Sequence, residues 1–91
     1  MPLTVMTKSL EVLKLTRPVA EKGNVNSISD AGVAGLMAMA AVDGAFYNVK
    51  INLGGISDDK FVKKTREEAE RIAAEAKKLA DEIRSIVESK L

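Results

Sequence analysis

Along the first segment, Leu3 to Lys22, Met6, Leu10 and Leu13 recur at i, i+4 and i+7, the spacing of one helical face. Pro18 interrupts that face. A proline in mid-helix removes the bond to the Lys14 carbonyl and clashes with it, at a cost of about 3 kcal/mol, so the pattern predicts a kink or break near Thr16–Arg17. Gly23 after Lys22 predicts a left-handed stop with a cation in the last turn. In the second segment Ser27 and Asp30 stand three apart and fit a capping box, which predicts a helix start at Ser27. From there to about Leu53 nearly every position is apolar or small, including Gly32, Gly35, Gly44 and Ala at 31, 34, 38, 40, 41 and 45. Each helical Gly costs roughly 1 kcal/mol relative to Ala, so this composition predicts close approach by neighbouring helices. Gly54-Gly55 ends the segment.

A third segment begins near Ser57-Asp58 and runs to the C-terminus with a 3–4 alternation of Val62, Thr65, Ala69, Ile72, Ala76, Leu79, Ile83 and Ile86. Ala73, Ala80 and Val87 broaden this seam into a bundle face. The pairs Lys63–Glu67, Glu67–Arg71, Arg71–Glu75, Lys78–Glu82 and Arg84–Glu88 are spaced i, i+4 and read as a solvated face. The fold class is therefore all-α, an antiparallel bundle fragment of three helices forming a single domain over 1–91. A central helix that is apolar all round cannot be covered by two neighbours. The bundle is expected to be completed by oligomerisation or by further helices.

A chain of 91 residues buries only about 60–65% of its unfolded surface, so help from a partner surface is in keeping with its size. The 14 basic and 13 acidic residues leave a net charge of +1, and one Tyr, two Phe and no Trp offer few stacking platforms. Neither feature suits a nucleic-acid binder. Cys and His are both absent. Proton transfer then falls to Asp, Glu, Lys and Tyr, with no thiolate and no imidazole for a metal. The apolar run from Ala31 to Val42 spans about 12 residues where a membrane crossing needs roughly 20, and no signal-peptide order is present, so a cytoplasmic protein without a membrane partner is expected.

Two groups of polar residues are left over by this scheme. Asn48 and Asn52 lie four apart on one helical face. They serve either as interhelical hydrogen bonds that fix register or as donors and acceptors lining a site for a polar heterocycle. The stretch GNVNSISDAG, 23–32, is either a turn and cap or a site, and capping leaves Asn24 and Asn26 unexplained. Asp30 shares the azimuth of Asn48, yet within one straight helix the two stand about 27 Å apart. A shared site needs a second protomer or additional helices.

GNVNSISDAGVAGLMAMAAVDGAFYNVKINLGGISD resembles the C-terminal half of the cyclodeaminase/cyclohydrolase family, which includes the cyclodeaminase domain of formimidoyltransferase-cyclodeaminase and the methenyltetrahydrofolate cyclohydrolases. The family pattern G-N-x-N-S-x-S-D-A-G, a small-residue helix and G-A-x-x-N-V-x-I-N is met at Gly23, Asn24, Asn26, Ser27, Ser29, Asp30, Ala31, Gly32, Gly44, Ala45, Asn48, Val49, Ile51 and Asn52. PLTVMTKSLEVLKL resembles the family's helix entering this loop. The resemblance implies an all-helical, dimeric folate enzyme whose remaining helices lie N-terminal to this portion. It closes 5-formimidoyltetrahydrofolate through N10 to 5,10-methenyltetrahydrofolate with loss of ammonia, or hydrolyses the methenyl ring. Asp30 is then the catalytic carboxylate facing the cationic bridge, and Asn24, Asn26, Ser27, Ser29, Asn48 and Asn52 bind the substrate. A tetrahydrofolate derivative is the substrate, no separate cofactor or metal is implied, and the partner is a second copy. No residue stands out as the proton donor for ammonia release. The competing expectation, from composition and periodicity, is a non-catalytic helical oligomerisation module.

Overall fold

The structure, a computed structural model, describes residues 2–91 and is made of three helices: α1 (Pro2–Lys22), α2 (Val25–Leu53) and α3 (Asp59–Lys90). No strand occurs among the described residues. All three helices pack against one another in an elongated bundle whose Cα trace spans 50 × 16 × 15 Å. The core is one cluster. Met6, Leu10, Leu13 and Ala20 of α1 meet Ile28, Ala31, Ala38, Val42, Ala45, Val49 and Leu53 of α2, and Ala69, Ile72, Ala76, Ile83 and Val87 of α3 close it. The 3–4 seam read along α3 is thus the buried face, with Val62, Leu79, Ala80 and Ile86 packed at its margins.

The break expected near Thr16–Arg17 does not occur, for α1 runs unbroken through Pro18. Leu13 on one side of the proline and Ala20 on the other are buried in the same cluster, and this burial holds the helix continuous. Pro18 and Lys14 lie on the solvent side, so the carbonyl that the proline leaves without a helix partner is not buried in the core. The Thr16 hydroxyl also donates to the Val12 carbonyl at 2.7 Å.

The junction between α1 and α2 departs from expectation in two ways. No residue there is left-handed, and Gly23 ends α1 by donating its N–H to the Val19 carbonyl at 2.8 Å. Glycine is needed for a steric reason instead, because a Cβ at Gly23 would stand 2.7 Å from that carbonyl oxygen. The Ser27–Asp30 capping box is not formed. Asn24 is the N-cap, its side-chain oxygen accepting from the Ser27 backbone N–H at 3.1 Å, and α2 begins at Val25. At the other junction Asp58 caps α3 by accepting from the Phe61 N–H at 3.1 Å.

Most of the expected i, i+4 lattice on α3 does not form, and two of its acids pair with α1. Of the five pairs only Arg71–Glu75 forms, at 3.8 Å, joined by Lys77–Asp81 at 3.1 Å. Glu75 also reaches across the bundle to Lys14 at 3.4 Å, and Glu82 pairs with Arg17 at 3.2 Å in place of Lys78. At the end of α3, Lys90 Nζ donates to the Ala20 carbonyl at 2.7 Å and to the Glu21 carbonyl, closing the C-terminus of α1.

The helix over Asn26–Leu53 is 28 residues long, and its most apolar window has a mean hydropathy of 1.2, so by length and composition it is able to cross a membrane. The continuous apolar run still ends at Val42, because Asp43, Asn48, Lys50 and Asn52 interrupt the rest of this helix. Asp43 lies in mid-helix, where an acid at a bilayer centre costs roughly 3 kcal/mol.

Candidate functional site

The motif residues fall at the two ends of α2. Asn24, Asn26, Ser27, Ser29 and Asp30 occupy its first two turns, and Asn48 and Asn52 its last two. Because the helix is continuous, Asp30 and Asn48 remain about 27 Å apart along its axis. One chain brings together each group but not the two groups.

Asn24 is accounted for by the cap. Ser27 is half-buried and lends its backbone N–H to that cap. The others are not used by the fold. Asn26, Ser29, Asp30, Asn48 and Asn52 are exposed, and their side chains make no hydrogen bond or ion pair among the described residues. The register-fixing reading of Asn48 and Asn52 is therefore not met within this chain. The capping reading of Asp30 also fails, because a start at Val25 places it in the second turn, past the backbone N–H groups that need capping.

The hollows of the surface lie mostly elsewhere. A groove of about 640 Å³ between α2 and α3 has Gly32, Gly35, Met39, Ala80 and Val87 among its walls and Arg84 at its rim, and it contains none of the candidate polar side chains. Its floor exists because α3 comes close to α2. A Cβ on Gly32 would sit 3.2 Å from Val87 Cγ1, and one on Gly35 would sit 3.1 Å from Ile83 Cγ2. A second hollow, of about 560 Å³, lies where the start of α1, the end of α2 and the start of α3 meet, and Asn52 shares it with Phe61, Lys64 and Thr65. Among the described residues, no three potential metal ligands come together.

These features describe a helical chain that presents amides, a hydroxyl and a carboxylate, none of them used by the fold, near the two ends of one largely apolar helix. Residues 1–71 match the family described as Formiminotransferase-cyclodeaminase, and the chain belongs to that family. It is 43% identical over 90 residues to the methenyltetrahydrofolate cyclohydrolase of Methylorubrum extorquens, a match covering 99% of this chain and 43% of the relative. It is also 38% identical over 76 residues to the formimidoyltransferase-cyclodeaminase of Gallus gallus, covering 84% of this chain and 14% of that protein. The Rattus norvegicus formimidoyltransferase-cyclodeaminase is 34% identical over the same length. The chain thus spans less than half the length of the curated relatives it matches.

Proposed function

We propose that this chain carries part of the site of a folate-converting enzyme, acting on a tetrahydrofolate whose N5 and N10 are bridged by a one-carbon unit. The observation that carries the reading is the idleness of the motif's polar side chains. Asn26, Ser29, Asp30, Asn48 and Asn52 are exposed and do nothing for the fold, so packing within this chain does not call for them. Hydrolysis of the methenyl ring is the first candidate, since the likeness to the cyclohydrolase spans nearly the whole chain. There water adds to the bridging carbon, the bond to N5 opens, and a proton is released as the formyl group forms on N10. In the deaminating alternative N10 attacks the formimidoyl carbon and ammonia leaves.

Both reactions pass through positive charge spread over N5, the bridging carbon and N10. The Asp30 carboxylate stabilises that charge and accepts the proton of the attacking water or of N10. The amides of Asn26, Asn48 and Asn52 hold the edge of the pterin by paired donors and acceptors. Asn24 serves the cap first, and its amide nitrogen remains for substrate.

Asp30→Ser and Asp30→Asn in the full-length protein test this reading. Turnover of 5,10-methenyltetrahydrofolate should fall on the order of a hundredfold, with the thermal midpoint unchanged, because Asp30 supports no contact of the fold. Activity retained by both variants, on the methenyl and the formimidoyl substrates alike, overturns the assignment.

A further inference from the structure

One turn of α3 holds both ends of the stretch GNVNSISDAG. Its last residue, Gly32, faces the buried Val87, whose Cγ1 would stand 3.2 Å from a Cβ placed there. Its first residue, Gly23, follows directly on the last turn of α1, where Lys90 Nζ donates to the Ala20 carbonyl at 2.7 Å and to the Glu21 carbonyl. Val87 and Lys90 stand three apart, on one side of α3. Among the described residues, these bonds of Lys90 are the only side-chain hydrogen bonds that join two helices.

The corner they meet is short. Gly23 donates to the Val19 carbonyl at 2.8 Å and Lys90 takes the next two, so three successive carbonyls at the end of α1 are engaged. Only Gly23 and Asn24 separate α1 from α2. Asn24 then begins α2, its side chain accepting from the Ser27 N–H and its carbonyl from the Ile28 N–H. A shift at the end of α1 therefore passes directly into the first turn of α2. Lys14 pairs with Glu75, Arg17 with Glu82 and Lys90 with the end of α1, so α1 and α3 run in the same direction and end together. A cation at that place meets the negative ends of two helix dipoles.

We infer that Lys90 is a positioning residue for the Asp30 end of α2. With Val87 it fixes the corner from which Asn26 and Asp30 project, and so sets where the Asp30 carboxylate stands. It touches no substrate and acts through the α1 carbonyls and the two-residue link. That this placement governs turnover rests on the folate reading above. On that reading Asp30 acts on charge developed in the transition state, while Asn48 and Asn52 bind at the far end of α2. Loss of the tie should then show in kcat rather than in KM.

Lys90→Met keeps the stem and removes the donor, whereas Lys90→Arg keeps donors for both carbonyls. In the full-length protein Lys90→Met should lower kcat for 5,10-methenyltetrahydrofolate about tenfold and change KM less than about twofold, as a small misplacement of a reacting group does. Lys90→Arg should recover most of the loss. Ile72→Val, a buried change on the same helix, weakens the fold as a whole and should leave kcat per folded enzyme unchanged. Wild-type kcat in Lys90→Met, or an equal fall in Ile72→Val, overturns the positioning role. Amide exchange reads the tie without turnover. Gly23, Ser27 and Ile28 should exchange faster in Lys90→Met than in Ile72→Val, and equal rates overturn the inference. If Asp30→Ser is fully active, the folate reading and the kinetic consequence fail together, while exchange still decides whether Lys90 holds the corner.

Discussion

Gly35→Ala tests how closely α3 is seated on α2. Alanine is favoured over glycine in a helix by about 0.8–1.0 kcal/mol, so an unconstrained position would be stabilised. At Gly35 the added methyl stands 3.1 Å from Ile83 Cγ2, with Ile83 Cβ at 3.8 Å. Ile83 is 1% exposed and β-branched, so its χ1 has no room to turn away. Overpacking of this kind costs about 1–3 kcal/mol. The two effects oppose, and the sum is a loss of roughly 0–2 kcal/mol, or up to about 15 °C in midpoint for a domain this small. Equilibrium urea unfolding followed by circular dichroism measures it. Ile83→Leu removes the branch methyl that causes the conflict, so combining it with Gly35→Ala should recover more stability than the two single changes predict when added. A Gly35→Ala chain stabilised by the full helix-propensity gain would refute the close approach.

Three further changes follow from the contacts between helices. Asn24→Ala should cost about 1 kcal/mol in denaturant unfolding while Ser27→Ala costs little, the reverse of what a Ser27 cap requires. Lys90→Met should cost about 1 kcal/mol by leaving the last carbonyls of α1 without their donor, seen as faster amide exchange at the end of that helix. Glu82 Oε2 is shielded from water and faces Arg17 Nε at 3.2 Å, a charge contact whose angle is too poor for a hydrogen bond. The Arg17 and Glu82 side chains are 46% and 32% exposed, so Arg17→Ala should cost about 0.5–1 kcal/mol, more than Glu82→Gln because Arg17 also pairs with Glu21; equal effects in thermal melts would count against this.

Much of the architecture is legible in the sequence because α3 repeats one rule for its whole length: Ala69, Ile72, Ala76 and Ile83 fall on the seam and are buried. The start of α2 is not legible in the same way. Asn24 and Ser27 each have a partner three residues on, so local chemistry allows two cap frames. The earlier frame adds helical residues to α2 and leaves only Gly23 and Asn24 to join it to α1. Pro18 misleads for a related reason, since its local penalty is set against burial on both sides of it, which no local rule measures. Of the candidate site, the residue types stand in the motif, but their grouping does not. Azimuth places Asp30 and Asn48 on one face, and the length of α2 then separates them.

The three sides of α2 impose different demands on one sequence. Toward α1 and the core it needs bulk that fills, given by Ile28, Val42 and Val49. Toward α3 it needs absence of bulk, given by Gly32 and Gly35, where Val87 and Ile83 already occupy the space. On the third side it places small residues, Ala40 and Gly44, between larger ones, with polar groups reserved for the two ends. A helix serving only a three-helix monomer gains nothing from that third pattern, and each glycine in it weakens the isolated helix. That side stays uncovered in this chain, with Val33, Met37, Tyr47 and Ile51 exposed, as fits a chain that spans 43% of the matched cyclohydrolase.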